Sequence, residues 1–372
     1  DFNSDGLADI ATISSEPINN SKGTISLFLA TGDGNFSLPQ TFPATNKPFF
    51  LTASDTDTDG LTDLAVVEDG LVEIFSGFLL NTGLITPRDR LGDPKNSPSG
   101  NGLSISAGTP ISTAFARLNS DSISDLVVVS ASATESVGKC EIFLSDNSNL
   151  TSNPNVMLKI LGNVEVGTGS QKTLAIAAVN LPDPQTAIVD KDLDIFIATS
   201  LGIEIFENTT TNFVAQPILT LSSKVSQVMA GDLNIDSKTD ILALDKTSGV
   251  VFDILAFNNG YAEPITVQSR ANAITFALFN SSANSLSMAV LTSSSSQSSQ
   301  NSIVVLSANR FGIFQFSNIL PSDPTISINN PSVFAIGRPG RAPSTPANPA
   351  IGGDDILIGQ HAIGANKGGL LL

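Results

Sequence analysis

The chain is 372 residues long and 41% hydrophobic, which is enough apolar material for a sizeable core and excludes a globally disordered protein. Its formal net charge is −17 and its 18 Lys and Arg residues are scattered, so it lacks the cationic face that nucleic acid binding requires. No apolar run approaches the ~18 residues needed to cross a bilayer, so we predict no membrane span in this segment.

The composition favours short β-strands joined by turns. Thr, Ser, Val and Ile are abundant, and Gly (29) and Pro (20) recur between short apolar runs. The aromatic residues are almost all Phe, with one Tyr and no Trp. No long stretch shows the period of an amphipathic helix. We therefore predict an all-β protein.

Predicted strands recur after an acidic residue along the whole chain. Five acids stand directly before an apolar run typical of a strand: Asp9, Asp63, Asp125, Asp194 and Asp240. Two degenerate copies follow, at Ser287 and Asp355. These anchors are spaced by about 46–69 residues, the length of a repeat unit. In an all-β chain this predicts a β-propeller, most simply of seven blades with four antiparallel strands each.

The first unit shows the predicted strands in order. They are LADIATIS, KGTISLFLATGDGNFS, QTFPAT and KPFFLTAS, and the last leads into the next acidic loop. We predict that residues 1–372 form a single propeller domain of about seven such repeats. The stretches after Asp355 and before Asp9 together supply roughly half a repeat. We therefore expect a segment of a longer polypeptide whose terminal blade is incomplete.

Acidic loops precede five of the strands, and we number them in chain order as loop 1 (1–9), loop 2 (55–63), loop 3 (117–125), loop 4 (180–194) and loop 5 (232–240). Loops 1, 2 and 5 share oxygen-bearing side chains at positions 1, 3, 5 and 9, and the backbone carbonyl of position 7 can add a ligand. Hard oxygen donors on a flexible loop suit Ca²⁺ better than Mg²⁺ or Zn²⁺. The predicted ligands are Asp1, Asn3, Asp5, Leu7 and Asp9 in loop 1; Asp55, Asp57, Asp59, Leu61 and Asp63 in loop 2; and Asp232, Asn234, Asp236, Lys238 and Asp240 in loop 5.

Two other interpretations of these loops were considered. An EF-hand needs a Glu at position 12 and flanking helices, but that position holds Thr12, Val66 or Ala243, each inside a β-type run. A solvated acidic turn is common for a single loop. Three loops with the same spacing disfavour it, because carboxylates this close would repel without a cation. We predict about three Ca²⁺ sites, whose binding energy becomes folding energy.

The remaining loops depart from the pattern. Arg117 occupies the first ligand position of loop 3, where its guanidinium can replace the cation, so we predict no metal there. Loop 4 is expanded, and its sequence leaves open whether Asp190, Asp192 and Asp194 bind an ion. The stretch 278–287 has no carboxylate and is predicted to be metal-free.

The motifs DFNSDGLADI, SDTDTDGLTDLAVV and GDLNIDSKTDILAL resemble the FG-GAP repeat family, also called VCBS-type repeats, of integrin α-subunit propellers and many secreted bacterial proteins. The segment TISLFLATGDGNFSLPQTF is similar to the strand-turn-strand that follows the calcium loop in these repeats. The resemblance is strong in units one, two and five. It implies a seven-bladed propeller outside the cell, with a structural calcium in the loop that joins the first two strands of a blade.

We therefore expect a secreted or cell-surface, non-enzymatic module for adhesion or binding of a protein or cell-surface ligand. A lectin-like propeller and a self-assembling surface or fibre component are the alternatives. Two long loops, 88–102 and 337–353, are candidates for the binding face. Catalysis is disfavoured because the only histidine, His361, and the only cysteine, Cys140, stand in no catalytic motif.

Overall fold

The computed structural model describes residues 1–15, 23–32, 35–56, 60–75, 90–91, 103–105, 108–116, 118, 124–131, 138–146, 157–166, 173–179, 194–199, 202–208, 213–216, 219–221, 225–234, 236, 238–245, 248–257, 260–262, 264–267, 273–282, 285–292, 301–309, 311–320, 331–337, 355–360 and 369–371. This described part of the chain contains β-strands and no helix. It accordingly holds no helix long and apolar enough to cross a membrane. The all-β prediction is confirmed.

The strands form antiparallel sheets that follow one another along the chain, which we number sheet 1 to sheet 7. Sheet 1 contains β1 (Ile10–Ser15), β2 (Gly23–Phe28) and β5 (Gln40–Pro43). Sheet 2 contains β6 (Pro48–Ser54), β7 (Asp63–Glu68), β8 (Leu71–Phe75), β9 (Arg90–Leu91) and β10 (Leu103–Ser104). Sheet 3 contains β11 (Thr109–Ala116), β12 (Asp125–Ala131), β13 (Gly138–Asp146) and β14 (Met157–Val166).

The later sheets repeat this order. Sheet 4 contains β15 (Thr173–Val179), β16 (Asp194–Thr199), β17 (Gly202–Asn208), β18 (Phe213–Ala215) and β19 (Leu219–Thr220). Sheet 5 contains β20 (Gln227–Gly231), β21 (Asp240–Asp245), β22 (Val250–Ile254) and β25 (Ile265–Val267). Sheet 6 contains β26 (Ala273–Ser282), β27 (Ser285–Thr292), β28 (Ser302–Ala308) and β29 (Phe314–Leu320), and sheet 7 contains β30 (Pro331–Gly337), β31 (Asp355–Gln360) and β32 (Gly369–Leu371). Two small hairpins complete the set: β3 (Ala30–Gly32) with β4 (Asn35–Phe36), and β23 (Ala256–Phe257) with β24 (Gly260–Tyr261).

In sheets 2, 4 and 5 the second strand is buried on both faces, which explains why the apolar runs after the acids are continuous. In β7, Leu64 and Val66 pack between sheets 1 and 2, whereas Ala65 and Val67 pack between sheets 2 and 3. Further cores join sheets 3 and 4, sheets 4 and 5, and sheets 5 and 6. Burying each large apolar side chain contributes about 1.5–3 kcal/mol, so the stacking of successive sheets stabilises the fold.

The structure corrects the grouping of strands within a unit. The segment KPFFLTAS forms β6, but β6 pairs with β7 in sheet 2 and not with β5 of the preceding unit. The segment KGTISLFLATGDGNFS contains β2 and the separate β3–β4 hairpin, not one strand. Sheets 2 to 5 therefore begin one strand before their acidic loop, and the loop joins the first two strands of the sheet. The implication drawn from the family is right on this point.

The first strands of neighbouring sheets lie against one another from β6 through β11, β15, β20 and β26 to β30. This is the arrangement of the inner strands of propeller blades. Within the described residues the first and last sheets are not paired, so a closed ring of seven blades stays a prediction.

Candidate cation-binding loops

The front halves of loops 1 and 5 have the same geometry. In loop 1 the amide nitrogen of Asp5 donates to Asp1 Oδ1 at 3.1 Å and to Asn3 Oδ1 at 3.2 Å. In loop 5 the amide nitrogen of Asp236 donates to Asp232 Oδ1 and to Asn234 Oδ1, both at 3.0 Å. Side-chain oxygens from positions 1 and 3 thus converge on the amide of position 5 in two loops that are far apart in sequence.

The turn that follows requires glycine at position 6 of loops 1 and 2. Gly6 and Gly60 both have φ of +83°, in the left-handed region that other residues rarely adopt. The Gly6 amide donates to Asp1 Oδ2 at 2.8 Å, and the Gly60 amide donates to Asp55 Oδ2 at 3.1 Å. The first acid is therefore held over the turn in both loops.

The last acid of a loop ties the loop to its own sheet. One carboxylate oxygen accepts the amide of loop position 2, seven residues earlier, at 2.7–2.8 Å: Phe2 to Asp9, Thr56 to Asp63, Leu118 to Asp125 and Leu233 to Asp240. The other oxygen accepts an amide at or just beyond the end of the strand that pairs with the one after the loop, β2 or β22: Ala30 to Asp9 at 2.8 Å and Ala256 to Asp240 at 2.7 Å. Asp194 of loop 4 accepts the amide of Asn208 in the same way at 2.7 Å.

Burial makes these hydrogen bonds important for stability. Asp63, Asp125, Asp194 and Asp240 are at most 1% exposed. A buried carboxylate is costly unless amides satisfy its oxygens. Burial raises the pKa of Asp240, the amides of Ala256 and Leu233 oppose this, and the nearby acids of loop 5 add to the increase. The spacing predicts only ion ligation for this position, so its role in tying the loop to the sheet is a finding of the structure.

Lys238 takes part in loop 5 through its side chain as well as its backbone. Its amide donates to Asp236 Oδ1 at 2.9 Å, and its ammonium forms an ion pair with Asp236 Oδ2 at 3.0 Å. Partial burial raises the pKa of Asp236, but the hydrogen bonds and charge of Lys238 outweigh this and the pKa is lowered. Asp236 is therefore ionised at neutral pH. The predicted ligation of an ion by the Lys238 carbonyl stays a prediction.

The residues present fit a hard cation in donor chemistry. Positions 1, 3 and 5 of loops 1 and 5 offer only carboxylate and amide oxygens, and two of these already converge. Among the residues that the structure describes, no three His, Cys, Asp or Glu side chains are arranged together as a metal site. Leu7 and Leu61 are described, but Asp57 and Asp59 lie outside the described residues, as do Arg117, Asp190 and Asp192.

Sequence reasoning missed a set of buried acids on the third strands. Glu73, Glu141 and Glu204 each lie opposite the residue three positions after the last loop acid, and all are at most 7% exposed. The signal that reveals them is the triplet Glu-Ile-Phe, which recurs in β8, β13 and β17. Asp253 on β22 is also buried, and burial together with the charge of Asp240 raises its pKa to about 7.

Glu73 also belongs to a carboxyl pair in sheet 2. Thr45 Oγ1 donates to Glu73 Oε1 at 2.7 Å, and the amides of Thr45 and Asn46 donate to Glu68 at 3.3 and 2.6 Å. Burial and then the charge of Glu73 raise the pKa of Glu68 to about 8. The pair ties the connection between sheets 1 and 2 to the β7–β8 hairpin.

Of the two residues considered for catalysis, Cys140 is described by the structure and is buried. Cys140 lies on β13 in the core between sheets 3 and 4, and burial, followed by the charge of Glu141, raises its pKa to about 12. A thiol with this pKa stays protonated at neutral pH. His361 lies outside the described residues, as do 92–100 and 338–353 of the two long loops.

Stacked antiparallel sheets with an acidic loop before the second strand define an all-β repeat protein. Residues 1–66, which extend from loop 1 into β7, match the model of the family described as FG-GAP-like repeat. This part of the chain is therefore an FG-GAP-like repeat, which confirms the resemblance. No curated protein matches the chain.

Solved structures show distant likeness. A complex of BBS1N with ARL6DN has 13% identity and a TM-score of 0.40, covering 82% of this chain and 90% of that chain. The V. cholerae biofilm matrix protein Bap1 has 16% identity and a TM-score of 0.42, covering 78% of this chain and 41% of that chain. The S. cerevisiae core factor has 8% identity and a TM-score of 0.44, covering 89% of this chain and 50% of that chain.

Proposed function

We propose that the chain is a calcium-stabilised β-propeller that acts outside the cell or at its surface as a non-enzymatic adhesion or ligand-binding module. One observation carries the calcium part: in loops 1 and 5 the oxygens of positions 1 and 3 converge on the amide of position 5 in the same way. Two independent copies of one geometry support a shared purpose, and the FG-GAP-like repeat of residues 1–66 supports the class of module.

The ion would be held by the oxygens at the front of each loop. In loop 5 these are Asp232, Asn234 and Asp236, and in loop 1 Asp1, Asn3 and Asp5. The bound ion supplies positive charge that offsets the crowded carboxylates and joins both sides of the turn. The last acid contributes differently, because its oxygens accept the amides of Leu233 and Ala256 and so hold the loop against the sheet.

A binding role is supported over a catalytic one. The thiol of Cys140 is buried and protonated, which removes it as a nucleophile. Glu68 and Asp253, two carboxyl groups of raised pKa, are both 0% exposed. Glu68 accepts the amides of Thr45 and Asn46, which supports a structural role for this acid.

The exposed apolar residues support a protein partner over a glycan. Phe257 in the β23–β24 hairpin, Phe311 in the turn after β28 and Phe316 on β29 are between 57% and 61% exposed. The only tyrosine, Tyr261, packs edge-on against Phe196 with ring centroids 6.0 Å apart, and its hydroxyl is buried. It is therefore not free to stack on a sugar ring. The same exposed residues also favour self-association as a second candidate function.

Thermal unfolding in millimolar calcium and in excess EDTA tests the proposal. We expect a large fall in the melting temperature with EDTA that calcium reverses and magnesium does not. An unchanged melting temperature would mean that the loops are acidic turns, and the calcium-stabilised module would be wrong. Binding to a glycan array that free sugar competes away would favour the lectin-like alternative, and concentration-dependent light scattering would favour self-assembly.

A further inference from the structure

A tight turn in sheet 6 joins β28 to β29 and is fixed by one asparagine. Asn309 Oδ1 accepts the amides of Phe311 at 2.9 Å and Ile313 at 3.2 Å. The backbone closes the same turn, because the Gly312 amide donates to the Asn309 carbonyl at 2.9 Å and the Asn309 amide donates to the Ile313 carbonyl at 3.0 Å. The turn is therefore rigid although Phe311 and Ile313 are exposed.

Gly312 at the tip of this turn lies directly on loop 5 of the preceding sheet. A Cβ atom at Gly312 would lie 3.1 Å from Asn234 Cβ and 2.9 Å from Leu255 Cδ2. Gly312 is buried and has φ of +79°. Beside it, Phe314 packs in the same core as Leu233, which is position 2 of loop 5. The turn of sheet 6 thus covers positions 2 and 3 of the loop.

Loop 3 is held from the following sheet in a comparable way. Asn208, at the end of β17 in sheet 4, donates its side-chain amide to the carbonyl of Leu118, which is position 2 of loop 3. Leu118 packs with Phe206 in the core between sheets 3 and 4. In both cases the end of the third strand, or the turn after it, reaches back onto the loop of the preceding sheet. This contact therefore recurs along the chain.

We propose that the Asn309–Ile313 turn is a positioning element for loop 5, so that cation binding in loop 5 and the packing of sheet 6 on sheet 5 are coupled. The inference rests on the proposed calcium binding. Asn234 supplies the position 3 oxygen, and its Cβ has Gly312 as a close neighbour. A shift of the turn would move Asn234. A cation bound by Asn234 would in turn fix the surface against which Gly312 packs. Residues in direct contact show this kind of energetic coupling.

Terbium luminescence can isolate loop 5 because Tyr261 is the only tyrosine in a chain without tryptophan. Tyr261 packs on the core that contains Ile241, the residue after Asp240. Terbium in loop 5, excited through tyrosine, should therefore emit, whereas terbium in loops 1 and 2 lies in other sheets. Tyr261 also packs against Phe196, two residues after Asp194 of loop 4, so a loop 5 variant is needed to separate the two loops. Emission that calcium competes away and that Asp232→Ala abolishes assigns the signal to loop 5.

The decisive comparison is Gly312→Ala against Gly70→Ala. Both glycines have nearly the same φ, +79° and +78°, but a Cβ at Gly70 meets nothing within 4 Å. Both variants carry the backbone strain, and only Gly312→Ala presses on Asn234. We expect Gly312→Ala to weaken terbium binding at loop 5 about fivefold or more beyond Gly70→Ala, with calcium binding by loops 1 and 2 unchanged in calorimetry.

A second variant covers the case in which Gly312→Ala does not fold. Asn309→Ala loosens the turn without adding an atom near the loop, and we expect it to weaken terbium binding about two- to fivefold. Equal terbium affinities in the unsubstituted chain, Gly312→Ala and Asn309→Ala would overturn the coupling and leave the calcium proposal intact. Absence of tyrosine-sensitised emission from the unsubstituted chain would instead overturn the ion site in loop 5, and the coupling with it.

Discussion

Loops 3 and 5 end in the same way and begin differently. Asp125 and Asp240 are both fully buried, and both accept the amide of loop position 2 at 2.8 Å. Yet loop 3 begins with Arg117, whereas loop 5 begins with Asp232. A loop whose sequence disfavours an ion therefore keeps the last acid and its hydrogen bond. The comparison teaches that the last acid serves the fold, whereas the first acids are the part that differs between the two loops and to which we assign the proposed cation.

The largest effect should come from removing the last acid in either loop. In Asp125→Ala and Asp240→Ala buried amides lose their acceptor, which costs about 2–4 kcal/mol in unfolding free energy. We expect the Asp125→Ala loss to be the same in calcium and in EDTA, measured by urea unfolding. Asp69→Ala, at an exposed turn acid, is the control and should change little. A loss for Asp125→Ala that vanishes in EDTA would break the comparison.

A smaller, calcium-dependent effect is expected at the front of loop 5. Asp232→Ala removes an exposed first acid and should lower stability by about 2–3 kcal/mol when calcium is near a hundredfold above its dissociation constant. In EDTA the same variant should differ from the unsubstituted chain by less than about 0.5 kcal/mol. Equal losses in both media would show that Asp232 supports only the turn. Paired melting curves provide the measurement.

The pair Glu68 and Glu73 adds a pH-dependent case. Unlike Asp125 and Asp240, these buried acids belong to none of the acidic loops, and their partners are Thr45 and Asn46. The pKa of Glu68 is raised from 4.5 to about 8, so the folded state binds a proton that the unfolded state releases. The stabilisation is complete below about pH 4.5 and is lost as the pH rises through about 8, by on the order of 2 kcal/mol. Glu68→Gln should flatten this part of the profile of melting temperature against pH. A profile identical to that of the unsubstituted chain would contradict the assignment.

The smallest effect concerns Cys140, which reports on the core beside loop 3. Its thiol is 1% exposed and its pKa is raised to about 12, so a thiol reagent at neutral pH should label the native chain hardly at all. Asp125→Ala should speed labelling because it loosens sheet 3, whereas Asp232→Ala in sheet 5 should not. Equal labelling rates in the two variants would show that the loosening spreads beyond one sheet.

Much of the fold could be predicted from the sequence because the second strands are buried on both faces. The runs after Asp63, Asp125 and Asp240 are continuous and apolar, and each begins a strand at that acid. The strand at which a repeat begins was harder to predict, because KPFFLTAS fits equally well as the last strand of one sheet or the first strand of the next. Only the pairing of β6 with β7 decides it.

The ligand pattern at the front of the loops could also be predicted, since alternating oxygen donors stand out in the sequence. The role of the last acid could not, because its partners are backbone amides such as those of Leu233 and Ala256, which carry no side-chain signal. One clue was present: an apolar residue, Phe2, Leu118 or Leu233, stands second in an acidic loop. A residue of that kind indicates that the loop is anchored in a core.

The bond between Asn208 and Leu118 has a consequence for synthesis, because 90 residues separate its two partners. At about 5–20 residues per second, the ribosome adds Asn208 roughly 5–18 seconds after Leu118. During that interval the carbonyl of Leu118 has only solvent or transient partners. This hydrogen bond of loop 3 therefore forms only after β17 of the following sheet has been synthesised.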